Sequence, residues 1–286
     1  MRSTFALLTL CGIGILPVLA QEGYKPAPVL QIDREAIKEG RAAAHEKVEA
    51  DWAAAMRKAN FPEHYIALAA VSGTSEVWFV IPMPSFAAAE EYDKAEEKEP
   101  LKSTVALLDS RDGELRSGSR TLWAVYRPDL SYRAEKFNPG KTRYVAAGTY
   151  RVRLGREEDF TAGAKMYLGA HEKANIDECI LAYQVVAGAP AGTYFFFDMM
   201  DSMKMMDGEP ARMQAIQQAM GAEEFSKFMK GAGDLFVSIE DTLLQVKPGM
   251  SYAPPDIVDA DPAFWKPKPA AKPAAAAAPA EKKAAQ

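Results

Sequence analysis

Apolar residues along this chain recur at two periods, and the alternation between those periods spells the same series of elements twice. Val29 to Asp33 reads as a short strand. Glu35 to Asn60, rich in Ala, Glu and Lys with its apolar positions at helical spacing, reads as a helix that ends at Phe61-Pro62. His64 to Val71 and Glu76 to Pro82 are β-branched and aromatic runs around Ser72-Gly73-Thr74-Ser75, which predicts a hairpin. Helical text runs from Pro84 to about Ser117 with an interruption at Pro100, and Thr121 to Arg127 is a fourth strand. The order then returns: strand Arg143 to Leu154, helix Glu157 to Asn175, hairpin Cys179 to Ala187 with Thr193 to Met199, helical text Glu209 to Phe236, and strand Val237 to Val246.

The residues themselves repeat. Lys58-Ala59-Asn60, Glu63, Ala67, Val71 and Gly73 reappear 115 positions later as Lys173-Ala174-Asn175, Glu178, Ala182, Val186 and Gly188. Arg127-Pro128-Asp129-Leu130-Ser131-Tyr132 returns 120 positions later as Lys247-Pro248-Gly249-Met250-Ser251-Tyr252. The expected organisation is a leader at 1–20, repeats at 21–135 and 136–255, and a disordered Ala/Pro/Lys-rich tail at 256–286. Each repeat reads βαββαβ, a ferredoxin-like unit whose antiparallel sheet has helices on one face only. The expected fold class is therefore α+β, with the two bare sheet faces meeting in a pseudo-dimeric α/β barrel of eight strands.

In element order, in the duplicated Lys-Ala-Asn…Gly stretch and in the repeated Pro-x-x-Ser-Tyr ending, residues Val29 to Tyr252 resemble the dimeric α/β-barrel superfamily in its tandem single-chain form. Within it the chain is most similar to the NIPSNAP and antibiotic-biosynthesis-monooxygenase-like groups. That resemblance implies a fold hosting oxygenases, haem enzymes and small-molecule binders alike, so it implies no single chemistry.

Composition narrows the setting. Arg2, the apolar run Phe5 to Leu19 and the small-residue site Val18-Leu19-Ala20 predict an export signal cleaved near Ala20, hence a periplasmic or secreted protein. No later run reaches the ~20 apolar residues of a spanning helix. With Cys11 in the leader, Cys179 is the sole mature cysteine, so stability must come from packing. The net charge is −5; residues 266–286 contribute +4 and the leader +1, leaving −10 for the body. An acidic body argues against nucleic acid, while the basic tail suits weak contact with anionic envelope surfaces or a solubilising spacer.

No P-loop, GxGxxG, GxSxG, HExxH or paired CxxC pattern is present, and a total of three histidines argues against a histidine-rich metal centre. His171 is the candidate haem ligand, because the resemblance implies an axial histidine from the second half. A solvated helix residue beside Glu172 and Lys173 is the alternative. His45 reads as an exposed helix residue. Met199, Met200, Met203, Met205 and Met206 form a thioether cluster suited to Cu(I), or to filling a core. Trp78, Trp123, Tyr126, Tyr183, Tyr194 and Phe196, with Arg151 and Arg153 as polar contacts, are the candidate lining of an apolar pocket, set against an ordinary core. The leading expectation is an exported protein binding a small apolar molecule or a protein partner at the seam of the barrel, leaning away from catalysis. A haem-dependent or cofactor-independent oxidoreductase and a Cu(I) binder are the alternatives.

Overall fold

The computed structural model describes residues 24–266, so the leader at 1–20 and the tail beyond Lys266 lie outside the described residues. The first repeat contains β1 (Val29–Ile37), α1 (Ala42–Ala59), β2 (Ile66–Ala70), β3 (Glu76–Met83), α2 (Phe86–Glu96), α3 (Leu101–Gly113) and β4 (Arg116–Tyr126). The second contains β5 (Tyr144–Val152), α4 (Glu157–Lys173), β6 (Ile180–Ala187), β7 (Thr193–Met200), α5 (Glu209–Met220), α6 (Ala222–Leu235) and β8 (Phe236–Val246). Each second crossover is two helices rather than one. Pro100, which has no N–H to donate, parts α2 from α3, and Gly221, at a φ of 90°, parts α5 from α6.

β1 runs four residues past Asp33, where helix was expected. It is the central strand of its half, paired with β3 and β4 through Ala36, and those two ladders override the helix propensity of Glu35-Ala36. α1 begins only after Gly40, which turns the chain at a φ of 71°.

The strands close into an antiparallel barrel in the order β1-β3-β2-β8-β5-β7-β6-β4. The halves join where β2 pairs with β8 and where β4 pairs with β6. They are also interlocked through the repeated ending. The Ala182 N–H in the second half donates to Ser131 Oγ of the first (3.0 Å), and Tyr132 OH donates to the Ile176 carbonyl (2.9 Å). In return the Ala67 N–H donates to Ser251 Oγ (3.0 Å) and Tyr252 OH to the Phe61 carbonyl (2.9 Å).

Ile32, Trp78, Leu122, Phe195, Phe197 and Leu244 fill the barrel. The end where β1 and β5 begin is covered by α7 (Pro255–Ala260) and α8 (Pro262–Trp265), within the segment assigned to the tail. Trp265 is buried there and its Nε1 donates to the Gly140 carbonyl (3.0 Å), while Arg143 pairs with Asp261 and lies 3.7 Å over the Phe264 ring. No helix of the described residues is long and apolar enough to cross a membrane.

Candidate functional site

At the opposite end, one layer of the barrel interior is polar. Arg34 on β1 lies opposite Trp78 on β3 and Arg120 on β4. The matching strands of the second half place Thr149 opposite Phe195 and Glu240. Arg34 and Thr149 continue the inward registers of Leu30 and Ile32 and of Val145 and Ala147, because alternate strand residues share a face. Trp78 and Phe195 meet across the seam with ring centroids 5.6 Å apart and form the floor of this layer.

Arg34 is 6% exposed. Its Nε and Nη2 clamp Glu76 at 2.7–3.1 Å, and its Cζ sits 4.1 Å from the Trp78 ring centroid. This leaves Arg34 Nη1, Trp78 Nε1 and Thr149 Oγ1 buried with no hydrogen-bond partner. Three such atoms in one layer would each cost about 1–3 kcal/mol if left dry. Arg120 stands at the exposed rim, its pKa lowered by partial burial and then by the Arg34 cation, with Glu240 and Glu76 acting against that shift.

The candidate lining divides among three places. Trp78 is the floor of the polar layer, and Arg151, two residues beyond Thr149 on the same strand face, is exposed at its rim. Tyr183 and Tyr126, with rings 5.3 Å apart, lie towards the covered end, where Tyr183 OH donates to the Ala27 carbonyl (3.0 Å) and burial pushes its phenol pKa up. Tyr194 and Phe196 face outward against Phe160 of α4, Trp123 packs outward on Phe86, and Arg153 is exposed beyond β5. Sequence reasoning missed Arg34 and Thr149. The available signal was a charge on the inward register of an otherwise apolar strand.

His171 is neither solvated nor presented to a haem. It is 2% exposed, its Nδ1 is 3.0 Å from the Tyr167 carbonyl, its Nε2 is 3.7 Å from Glu178, and the rings of Tyr132 and Tyr167 flank it. This setting does not fit an axial haem ligand. The five methionines also diverge. Met199 and Met200 take opposite faces of β7, and Met203 and Met206 are each 44% exposed. Met199 and Met205 do line one surface cavity of about 240 Å³ with Cys179, whose thiol burial pushes up to about 12. A larger open groove of about 510 Å³ marks the outside of the seam at Arg127, Lys165 and Tyr194. Its two cations are already paired with Asp129, whose carboxyl their hydrogen bonds hold down at about 2.

Comparison with solved structures matches the fold. An anthrone oxidase-like protein overlays with a TM-score of 0.52 at 12% identity, covering 77% of this chain and 91% of its own. A candidate monooxygenase from Fusobacterium nucleatum overlays with a TM-score of 0.50 at 11% identity, covering 77% and 93%. The fold is the dimeric α/β barrel. A chlorite dismutase from Candidatus Nitrospira defluvii overlays at a TM-score of 0.46 and 11% identity, covering 82% and 94%. No family model and no curated protein sequence matches the chain. In this dimeric α/β barrel both halves come from one chain, so the seam carries two different sets of side chains.

Proposed function

We propose that this protein is exported and binds a small oxygen-bearing organic molecule between its halves, at the barrel end that carries Arg34 and Thr149. The observation that carries this reading is the layer of buried, unpartnered atoms Arg34 Nη1, Trp78 Nε1 and Thr149 Oγ1. Two of them only donate and the third donates or accepts, so a carbonyl or carboxylate oxygen is the matching group, with the apolar body of the ligand against Trp78 and Phe195. The leader supports export, and the lysine-rich tail supports weak contact with anionic envelope surfaces. Oxidation of the bound molecule would be a separate step, and oxygen uptake by ligand-loaded protein measures it. Both Glu76 oxygens are held by Arg34, so that carboxylate is not placed as a free base.

Native mass spectrometry of the protein purified from its own source tests the reading. The expected result is a discrete organic adduct that Arg34→Gln and Trp78→Phe both lose. A bare mass, or an adduct indifferent to both substitutions, overturns it.

A further inference from the structure

We propose that the first half holds a divalent transition-metal ion beneath its helices, ligated by Glu35 of β1, His45 and Glu49 of α1 and Asp112 of α3. The four side chains are buried, and one ligand atom from each lies within 4.8 Å of the others. His45 Nε2 stands at the centre, 2.8 Å from Glu35 Oε2, 3.4 Å from Asp112 Oδ1 and 4.0 Å from Glu49 Oε1. One imidazole and three carboxylates suit zinc, manganese or iron in the divalent state.

Arg116 fixes the outer side of the cluster. Its Nη1 bonds Glu35 Oε1 (2.6 Å) and its Nε bonds Asp112 Oδ2 (2.8 Å), so the other oxygen of each carboxylate is turned towards His45. Hydrogen bonds of this kind, made behind the ligand atoms, are what orient carboxylates on a metal. Asp112 is 2% exposed, yet Oδ1 has no hydrogen-bond partner. Three buried carboxyl groups against one guanidinium leave negative charge that a divalent cation would balance. The fold itself does not demand these groups, since the matching positions of the second half carry Tyr150, Phe160, Ala164, Ala232 and Phe236.

Calorimetric titration of the chelator-stripped chain with zinc(II) and with manganese(II) tests the site. The expected result is one equivalent bound, an affinity loss of about 100-fold or more in the near-isosteric Glu49→Gln and Asp112→Asn, and no change in Asp201→Asn, which lines the surface cavity with Met199 and Met205. Should a variant not fold, spin-echo modulation from one imidazole nitrogen on bound manganese in the unaltered chain tests the same ligand set. No binding, binding indifferent to Glu49→Gln, or manganese without a coordinated nitrogen overturns the proposal and leaves a buried ion-pair network.

Discussion

The two halves solve the same packing problem with opposite chemistry. Where β1 bulges, Ile37 lies opposite Arg116; where β5 bulges, Val152 lies opposite Phe236. His45 N–H donates to the Arg41 carbonyl as the first turn of α1 closes, and Phe160 N–H donates to that of Arg156 at the start of α4. Around these matched points the first half buries Glu35, His45, Glu49 and Asp112 beneath the half-buried Arg116. The second packs Phe160 against Tyr194, Phe196 and Phe236 at centroid separations of 4.6–6.1 Å. An aromatic cluster gains from burial directly, whereas a buried ionic cluster must first offset desolvation. Nothing in the backbone requires the costlier choice.

Removing the cation should break this comparison most severely. Arg116→Phe strands Glu35 and Asp112 and should cost about 3–5 kcal/mol in urea unfolding of metal-free protein. Replacing all five positions with their second-half counterparts (Glu35→Tyr, His45→Phe, Glu49→Ala, Asp112→Ala, Arg116→Phe) should restore or exceed the original stability. Next come the hairpin glycines. A Cβ at Gly188 would lie 2.0 Å from the Thr121 carbonyl oxygen at a φ of 85°, while one at Gly73, its counterpart at a φ of 76°, meets nothing within 4 Å. Gly188→Ala should therefore cost about 3 kcal/mol or more by thermal unfolding, and Gly73→Ala about 1 kcal/mol.

A smaller contrast is set by pH. Asp198 of β7 occupies the position of Ile81 in β3, and burial, aided by Glu178, pushes its carboxyl from the ordinary 3.8 to about 7. The native state then holds the proton more tightly than the unfolded state, so stability falls as pH rises between those values. Asp198→Asn should flatten that slope and be ~2 kcal/mol more stable at pH 8, with no gain at pH 3. The smallest expected effects are those of the interlock. Ser131→Ala and Ser251→Ala should each cost ~1 kcal/mol and by similar amounts, because their bonds match at 3.0 Å.

Much of the barrel was legible in the sequence because the duplication supplied it. The offsets of 115 and 120 fix matching elements, and the repeated ending marks where each half stops. The carboxylate–histidine cluster was not legible, since its members span Glu35 to Arg116 on four elements that only the closed sheet brings together. Ala-Glu-Lys text around His45 reads as a solvated face. Yet His45 and Glu49 lie on the stripe that also carries the buried Val48, Ala53 and Met56. Setting the repeats side by side would have exposed it, because Phe160 stands where His45 does. The tail boundary failed for a related reason. Phe264 and Trp265 are two aromatics in a Pro-rich stretch, and only Arg143 over the first and the Gly140 carbonyl bonded to the second give them a place to dock.

The crossed endings have a consequence for how the molecule comes apart. Ser131 and Tyr132 complete the sheet edge of the half that follows them, and Ser251 and Tyr252 complete that of the half that precedes them. Neither half, made alone, owns its own clasp. Severing the connection between them should thus yield two fragments that reassemble only as a complementary pair, and the intact chain should lose both halves in one cooperative step.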